Sequence, residues 1–253
     1  MTWWHAVVIF VAGLWAGTIN TVVGSGTLVT FPVLVALGYS PLTATTSNAI
    51  GLAPGTVSGA IGYRDELKGY WPQVVKLAVA SFFGAICGTI LLLSLPKDAF
   101  ETVVPALVGL AVVLVIVQPR VSAWVAKRRE KNGTVQKIGP LLLFLIFLIG
   151  IYGGYFTAAQ GVMLMAVMGM LMSESLQRLN GVKNALSAVV NIVAGAIYAF
   201  IAPVSWPVVA LLAVGSTIGG QLGAKIGRKL SPKVLRGVIV VIGLAAMVQL
   251  LLK

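Results

Sequence analysis

Two short stretches place glycine beside hydroxyl and carboxamide side chains in the middle of long apolar runs. The first is Asn20-Thr21-Val22-Val23-Gly24-Ser25-Gly26-Thr27. A backbone that breaks inside lipid leaves amides unpaired, at several kcal/mol each, unless they line a cavity or are covered by protein. A helix restarting near Thr27 turns its free N–H groups and its partial positive end toward the break. That chemistry suits an anion. The second stretch, Thr157-Ala158-Ala159-Gln160-Gly161, stands at the matching place in the other half of the chain. Glycines of this kind also serve close helix packing. Recurrence of the break in both halves favours a binding site, with the amides of 24–27 and 160–162 and the side chains of Asn20, Thr21, Ser25 and Thr27 as its donors, and Thr157, Gln160 and Gly161 beside them.

A second constellation is Thr46-Ser47-Asn48 and its echo Lys183-Asn184, continuing to Ser187 and Asn191. Asn184, Ser187 and Asn191 share one helical face. They read equally as lining of a polar cavity or as hydrogen-bond glue between helices. Lys183 lies about two turns into its apolar run, where a cation needs a partner or a wet cavity. Snorkelling to the interface is the alternative. Gln221 is a weaker candidate, and Arg178 reads as interfacial.

The missing residue types narrow the chemistry. The acids are Asp65, Glu66, Asp98, Glu101, Glu130 and Glu174, all in or beside loops. Cation transporters and many proton pumps use carboxylates deep in a helix, so the polar lining points to an anion. The lone Cys87 excludes an internal disulfide and a cysteine metal site, and reads as a small packing residue. No phosphate-binding loop, zinc spacing or nucleophile elbow is present. No catalytic set, cofactor or metal is expected, and the chain does not read as an enzyme.

These residues are carried by a chain of 253 residues, 58% hydrophobic and 9% charged, with a mean hydropathy of +1.00. Soluble domains carry about 25% charged residues, so most of this surface faces lipid. Spanning a bilayer takes about 20 apolar residues. The expected long runs are 3–22, 42–62, 72–95, 101–118, 138–157, 176–202, 206–224 and 233–252. Two shorter runs, 27–38 and 161–172, follow the breaks. The start lacks a basic leader and a cleavage pattern, so 3–22 reads as a first membrane helix with Trp3 and Trp4 at the interface. The net charge of +12 sits in short loops, which fits membrane orientation rather than nucleic acid.

The halves repeat. Gly13, Gly17 and Gly24 recur as Gly150, Gly154 and Gly161, Asn48-Ala49 as Asn184-Ala185, Trp71-Pro72 as Trp206-Pro207, and Gly84 and Gly88 as Gly219 and Gly223. The polar stretch 119–137 reads as a solvated loop dividing them. With that loop in the cytoplasm, only Lys97 and Lys253 among the basic residues fall outside, and both termini face out. The run 42–62 then points inward and its repeat 176–202 outward, so the repeats are inverted. Inverted repeats with breaks near mid-membrane are a transporter pattern.

The sequence resembles the sulfite exporter TauE/SafE family, also called TSUP. The resemblance is carried by Gly13, Gly17, Asn20 and Gly24-Ser25-Gly26, by Phe31-Pro32-Val33-Leu34 and Ala44-Thr45-Thr46-Ser47, and by Leu179-Asn180-Gly181-Val182-Lys183-Asn184. It covers essentially the whole chain. Val23-Gly24-Ser25-Gly26 stands where the family often has a fuller glycine run, and Gln160-Gly161 replaces a glycine-rich break. The resemblance implies transport of sulfur-containing anions, sulfite and organosulfonates such as sulfoacetate, out of the bacterial cytoplasm.

The expectation is therefore an all-α polytopic protein of the bacterial inner membrane. It has two inverted five-segment repeats, 1–118 and 138–253, joined by the cytoplasmic loop 119–137. Each repeat carries a short or re-entrant helix pair near its start. Its partners are a small anionic solute and the lipid bilayer, without nucleic acid; a homo-oligomer is compatible. An anion channel and a non-transporting assembly or scaffold protein are the alternatives.

Overall fold

The computed structural model describes residues 2–132, 138–226 and 232–251. Among them lie ten α-helices and one 3-10 turn. The helices are α1 (Trp3–Val22), α2 (Thr27–Ala36), α3 (Pro41–Gly62), α4 (Trp71–Ser94), α5 (Lys97–Asn132), α6 (Pro140–Tyr155), α7 (Gln160–Leu171), α8 (Leu176–Ile201), α9 (Trp206–Ile226) and α10 (Pro232–Leu251), with the 3-10 turn at Arg64–Leu67. The boundaries follow local chemistry. Ser40 accepts the Thr43 N–H at 3.3 Å and starts α3, and Ser175 accepts the Arg178 N–H at 3.1 Å and starts α8. Both are N-caps that satisfy an otherwise orphaned amide. The two Trp-Pro pairs open α4 and α9, where proline's missing N–H costs nothing.

Among the described residues, five helices are long and apolar enough to cross a membrane: α1, residues 98–120 of α5, α4, α8 and α9. Their outer faces carry exposed Val7, Val11 and Trp15 on α1, Val79, Phe83 and Ile90 on α4, and Val103, Leu110 and Val113 on α5. So large an exposed apolar surface fits lipid and not water. The chain is a multi-pass membrane protein. Helices α2 and α7, with 10 and 12 residues, extend about 15–18 Å at 1.5 Å per residue. Neither spans a hydrocarbon core of about 30 Å. Both stop short, as the break-and-restart pattern requires.

Small residues set the packing. A Cβ on Gly17 would lie 2.2 Å from the Ser216 carbonyl oxygen, and one on Gly219 would lie 2.1 Å from that of Leu14. These close approaches join α1 to α9. A Cβ on Gly88 would lie 1.9 Å from the Ile151 oxygen, and one on Gly154 would lie 2.4 Å from the Ala85 oxygen, joining α4 to α6. The pairings come in twos. α1 packs on α9 and α6 on α4, α3 on α9 and α8 on α4, α2 on α10 and α7 on α5, while α3 and α8 pack on each other. Small residues let backbones approach where lipid gives no hydrophobic drive to association.

Two expectations are corrected. The stretch 119–137 is not a loop throughout: α5 runs on to Asn132, and 133–137 lie outside the described residues. Alanine, lysine, arginine and glutamate between 123 and 131 are strong helix formers, and they carry the helix past Pro119. Cys87 is exposed rather than packed. The inward face of α4 is Ser81, Gly84, Ala85, Gly88 and Thr89, which leaves Cys87 on the outer side.

Candidate anion site at the paired helix breaks

The two breaks touch. Helix α1 ends at Val22, and the chain turns through Gly24 at φ +92° before α2 starts. Helix α6 ends at Tyr155, and Thr157 and Ala159 take φ of +68° and +57° before α7 starts. Such values are uncommon for residues with a side chain. Gly161 N–H donates to the Gly24 carbonyl at 3.0 Å. A Cβ on either glycine would come within 2.5 Å of the other's Cα. This is the position where glycine is required, by close approach on both sides and by φ at Gly24.

Around that contact the polar residues divide into groups. Lys183 is fully buried, which removes the snorkelling alternative. Its Nζ donates to the carbonyls of Asn20 at 3.1 Å and Thr21 at 2.8 Å. Asn184 Nδ2 also donates to Thr21 O, at 3.3 Å. These carbonyls belong to the last turn of α1, whose end carries partial negative charge. The ammonium therefore caps α1 from a neighbouring helix. In the second group Asn48 Nδ2 donates to Thr27 Oγ1 at 3.0 Å, and the Thr30 hydroxyl donates to Asn48 Oδ1. Asn48 thus fixes the first turn of α2.

The main-chain donors of the breaks are partly engaged. Gly24 N–H bonds Ile19 O, Gln160 N–H bonds Thr157 O, and Val162 N–H bonds Ala159 O. Gly26 N–H reaches Asn20 Oδ1 only at 3.5 Å. The Ser25 and Thr27 N–H groups have no acceptor among the described residues. The buried Ser25 hydroxyl is also without a partner, as are both ends of the Gln160 carboxamide and of the Asn191 carboxamide. A buried polar group left unpaired costs about 1–3 kcal/mol, so Ser25, Gln160 and Asn191 carry unmet hydrogen-bonding capacity.

Other expected residues spend their side-chain hydrogen bonds elsewhere. Thr46 Oγ1 donates to Pro203 O at 2.6 Å and Ser47 Oγ accepts the Ser205 N–H at 2.9 Å. Both tie α3 to the α8–α9 connection. The Thr157 hydroxyl returns to Gly153 O at 2.7 Å. Gln221 bonds Ser58. Arg178 lies in the first turn of α8, paired with Glu174 at 2.6 Å and over the Tyr70 ring. Burial and neighbouring Glu174 push the Tyr70 phenol up to about 12, and Lys68 holds the exposed Asp65 carboxyl below its ordinary value. Three further residues were not singled out in the sequence. Thr30 follows Thr27 by one turn, a spacing that could have revealed it. Gln118, at the edge of an apolar run, donates to Val23 O at 3.5 Å. Tyr198 donates its hydroxyl to Gly154 O.

Among the described residues, helices with two breaks in contact and a buried lysine fit the layout of a transport protein. The sulfite exporter TauE/SafE family model matches residues 9–250, and the chain belongs to that family of membrane transporters. Escherichia coli K12 has a relative named "Probable membrane transporter protein YfcA", 25% identical over 96% of this chain and 88% of its own. A Sinorhizobium protein, "Probable membrane transporter protein ORF9", is 24% identical over 96% and 91%. A "Probable membrane transporter protein" of Haemophilus influenzae is 21% identical over 84% and 81%. No solved structure matches the chain.

Proposed function

We propose that this protein carries small sulfur-containing oxyanions, sulfite or organosulfonates such as sulfoacetate, out of the bacterial cytoplasm by alternating access. One observation carries the reading: two helix breaks from opposite halves meet at Gly24 and Gly161, beside a fully buried lysine. The oxyanion sits at that junction. The Ser25 and Thr27 amides, the Ser25 hydroxyl, Gln160 and the Lys183 ammonium supply its donors, with Asn20, Asn48, Asn184 and Asn191 shaping the polar surround.

The paired helix contacts, α1 on α9 with α6 on α4 and their counterparts, support two inverted repeats, 1–118 and 138–253. Such halves exchange conformations with little energy difference between end states. Direct backbone contact across the breaks favours a carrier over an open pore, because permeation requires the halves to part. Membership of a transporter family weighs against the scaffold reading. The inner membrane, with both termini outside, is the placement that the basic loops favour. A negative-inside potential of about 100 mV favours anion exit by about 2.3 kcal/mol per charge.

Uptake of radiolabelled sulfite into proteoliposomes tests this. Wild type exceeds protein-free liposomes and shows counterflow, while Asn20→Ala and Asn184→Ala fall well below wild type. Uptake equal to protein-free liposomes across a panel of oxyanions would overturn it.

A further inference from the structure

We infer that the cavity between α5, α6 and α7 receives the apolar body of an organosulfonate whose sulfonate group sits at the paired breaks. The inference rests on the oxyanion reading above and adds a subsite to it.

The cavity has a volume of about 190 Å³, and its walls include Leu114 of α5, Ile149 of α6 and Met163, Met165 and Ala166 of α7. Gln118 and Val162 also line it, and these two reach the breaks. Gln118 Nε2 donates to Val23 O, in the first break, at 3.5 Å. Val162 follows Gly161 directly, and its N–H donates to Ala159 O in the second break at 3.0 Å. Gln118, Ile149 and Val162 are buried, whereas Val117 and Leu176, two further lining residues, are exposed. The cavity therefore opens at Val117 and Leu176 and closes against the breaks. Along α7 it runs from Val162 to Gly169, two turns or about 10 Å.

A second cavity, between α1, α2 and α10, is a different kind of space. Exposed Val7, Val8, Val11 and Trp15 line it, as in a groove filled by lipid chains. The α5–α6–α7 cavity has a polar floor and an apolar mouth. A lipid entering from the bilayer would bring a chain end to the Gln118 carboxamide and leave its headgroup among apolar side chains. An organosulfonate matches the gradient in the other sense, with its charged end at the breaks and its carbon chain toward the mouth. An apolar cavity of about 150 Å³ holds benzene, so this one takes about six carbon atoms. Met163 and Met165 are unbranched and flexible, and they adapt the walls to chains of different shape. Sulfite and sulfoacetate engage the breaks and leave the cavity unfilled.

Competition with radiolabelled sulfite uptake into proteoliposomes tests the subsite, with linear alkanesulfonates from methanesulfonate to octanesulfonate as probes. In wild type each added methylene should lower the half-inhibitory concentration about twofold to fourfold. The gain should stop at about six carbons, when the cavity is full. Ala166→Leu puts about three more carbons into the cavity and should end the gain about three carbons earlier. Met165→Ala enlarges the cavity and should carry the gain on to octanesulfonate. Each result is a ratio between probes within one protein, so a lower yield of folded variant does not alter it. Equal inhibition at every chain length, with sulfite still carried, would overturn the subsite and leave the oxyanion reading standing. Equal inhibition by 1-hexanol and hexanesulfonate would do the same, marking the cavity as a groove for any apolar chain. A chain-length gain unchanged in both variants would put the chain elsewhere and overturn it too. Absence of protein-dependent uptake of sulfite and of every other oxyanion would remove both readings.

Discussion

Replacing Gly24 or Gly161 with alanine tests the contact on which the site is built. At Gly24 the new Cβ lies 2.5 Å from Gly161 Cα and 2.7 Å from its carbonyl carbon. Ordinary contact begins near 3.4 Å, so the loops must part by about 1 Å. That movement weakens the bond from Gly161 N–H to Gly24 O, worth about 0.5–1.5 kcal/mol. Gly24 also has φ of +92°, and left-handed backbone costs a residue with a Cβ about 1–2 kcal/mol. Gly24→Ala therefore loses about 2–3 kcal/mol of the closed arrangement, which at about 2–4 °C per kcal/mol is a melting shift of roughly 4–12 °C. Gly161→Ala suffers the same approach from the other side without the strain at Gly24, so its shift is smaller. Thermal melts in detergent, with sulfite uptake measured in parallel, provide the assay. If both variants melt within about 1 °C of wild type, the breaks are not held together as described. The larger effect falling on Gly161→Ala would refute the assignment of strain to Gly24.

Two further outcomes follow from the same geometry. Asn48→Leu removes the carboxamide that joins Thr27 and Thr30, leaving buried hydroxyls unpaired at about 1–3 kcal/mol. It should lower both melting temperature and oxyanion affinity, whereas Thr46→Val, on the α8–α9 tie, should affect stability alone; denaturation and ligand-induced stabilisation measure the two. Tyr70, outside the membrane-spanning helices, has its phenol raised to about 12, chiefly by burial. Its protonated form is favoured in the fold, so this contribution is complete below its ordinary value near 10 and is lost as pH rises toward 12. The melting temperature of wild type should fall across that window more steeply than that of Tyr70→Phe, and parallel slopes would contradict the assignment.

Element limits were legible wherever local chemistry is strong. Ser40-Pro41, Ser175 and the two Trp-Pro pairs mark helix starts in the sequence and in the fold. The breaks were legible too, because Asn20 to Thr27 and Thr157 to Gly161 interrupt apolar runs with residues that satisfy an exposed backbone. What was hidden depends on tertiary neighbours. Lys183 could not be told from a snorkelling lysine until the end of α1 was seen to offer it two carbonyls. The Gly24–Gly161 contact joins residues far apart in the chain, and no local signal says that one break rests on the other. Thr46 and Ser47 share a sequence cluster with Asn48 yet turn to Pro203 and Ser205, because successive helical residues face different neighbours. The extension of α5 to Asn132 was masked by Pro119 and a run of charge, which read as loop although the residues after it favour helix.

Alternating exposure of the junction is the claim on which the transport account depends. Ser25 is buried to 1% exposure and its hydroxyl is unpartnered, which makes it the reporter. Ser25→Cys, with Cys87→Ser removing the lipid-side thiol, is treated in oriented proteoliposomes with a membrane-impermeant thiol reagent from one face and then from the other. Alternating access predicts labelling from both faces, at rates that saturating sulfite changes in opposite directions. Labelling from neither face, while an added cysteine at exposed Lys68 reacts readily, would mean that the breaks never open and that the junction is packing rather than a transport site.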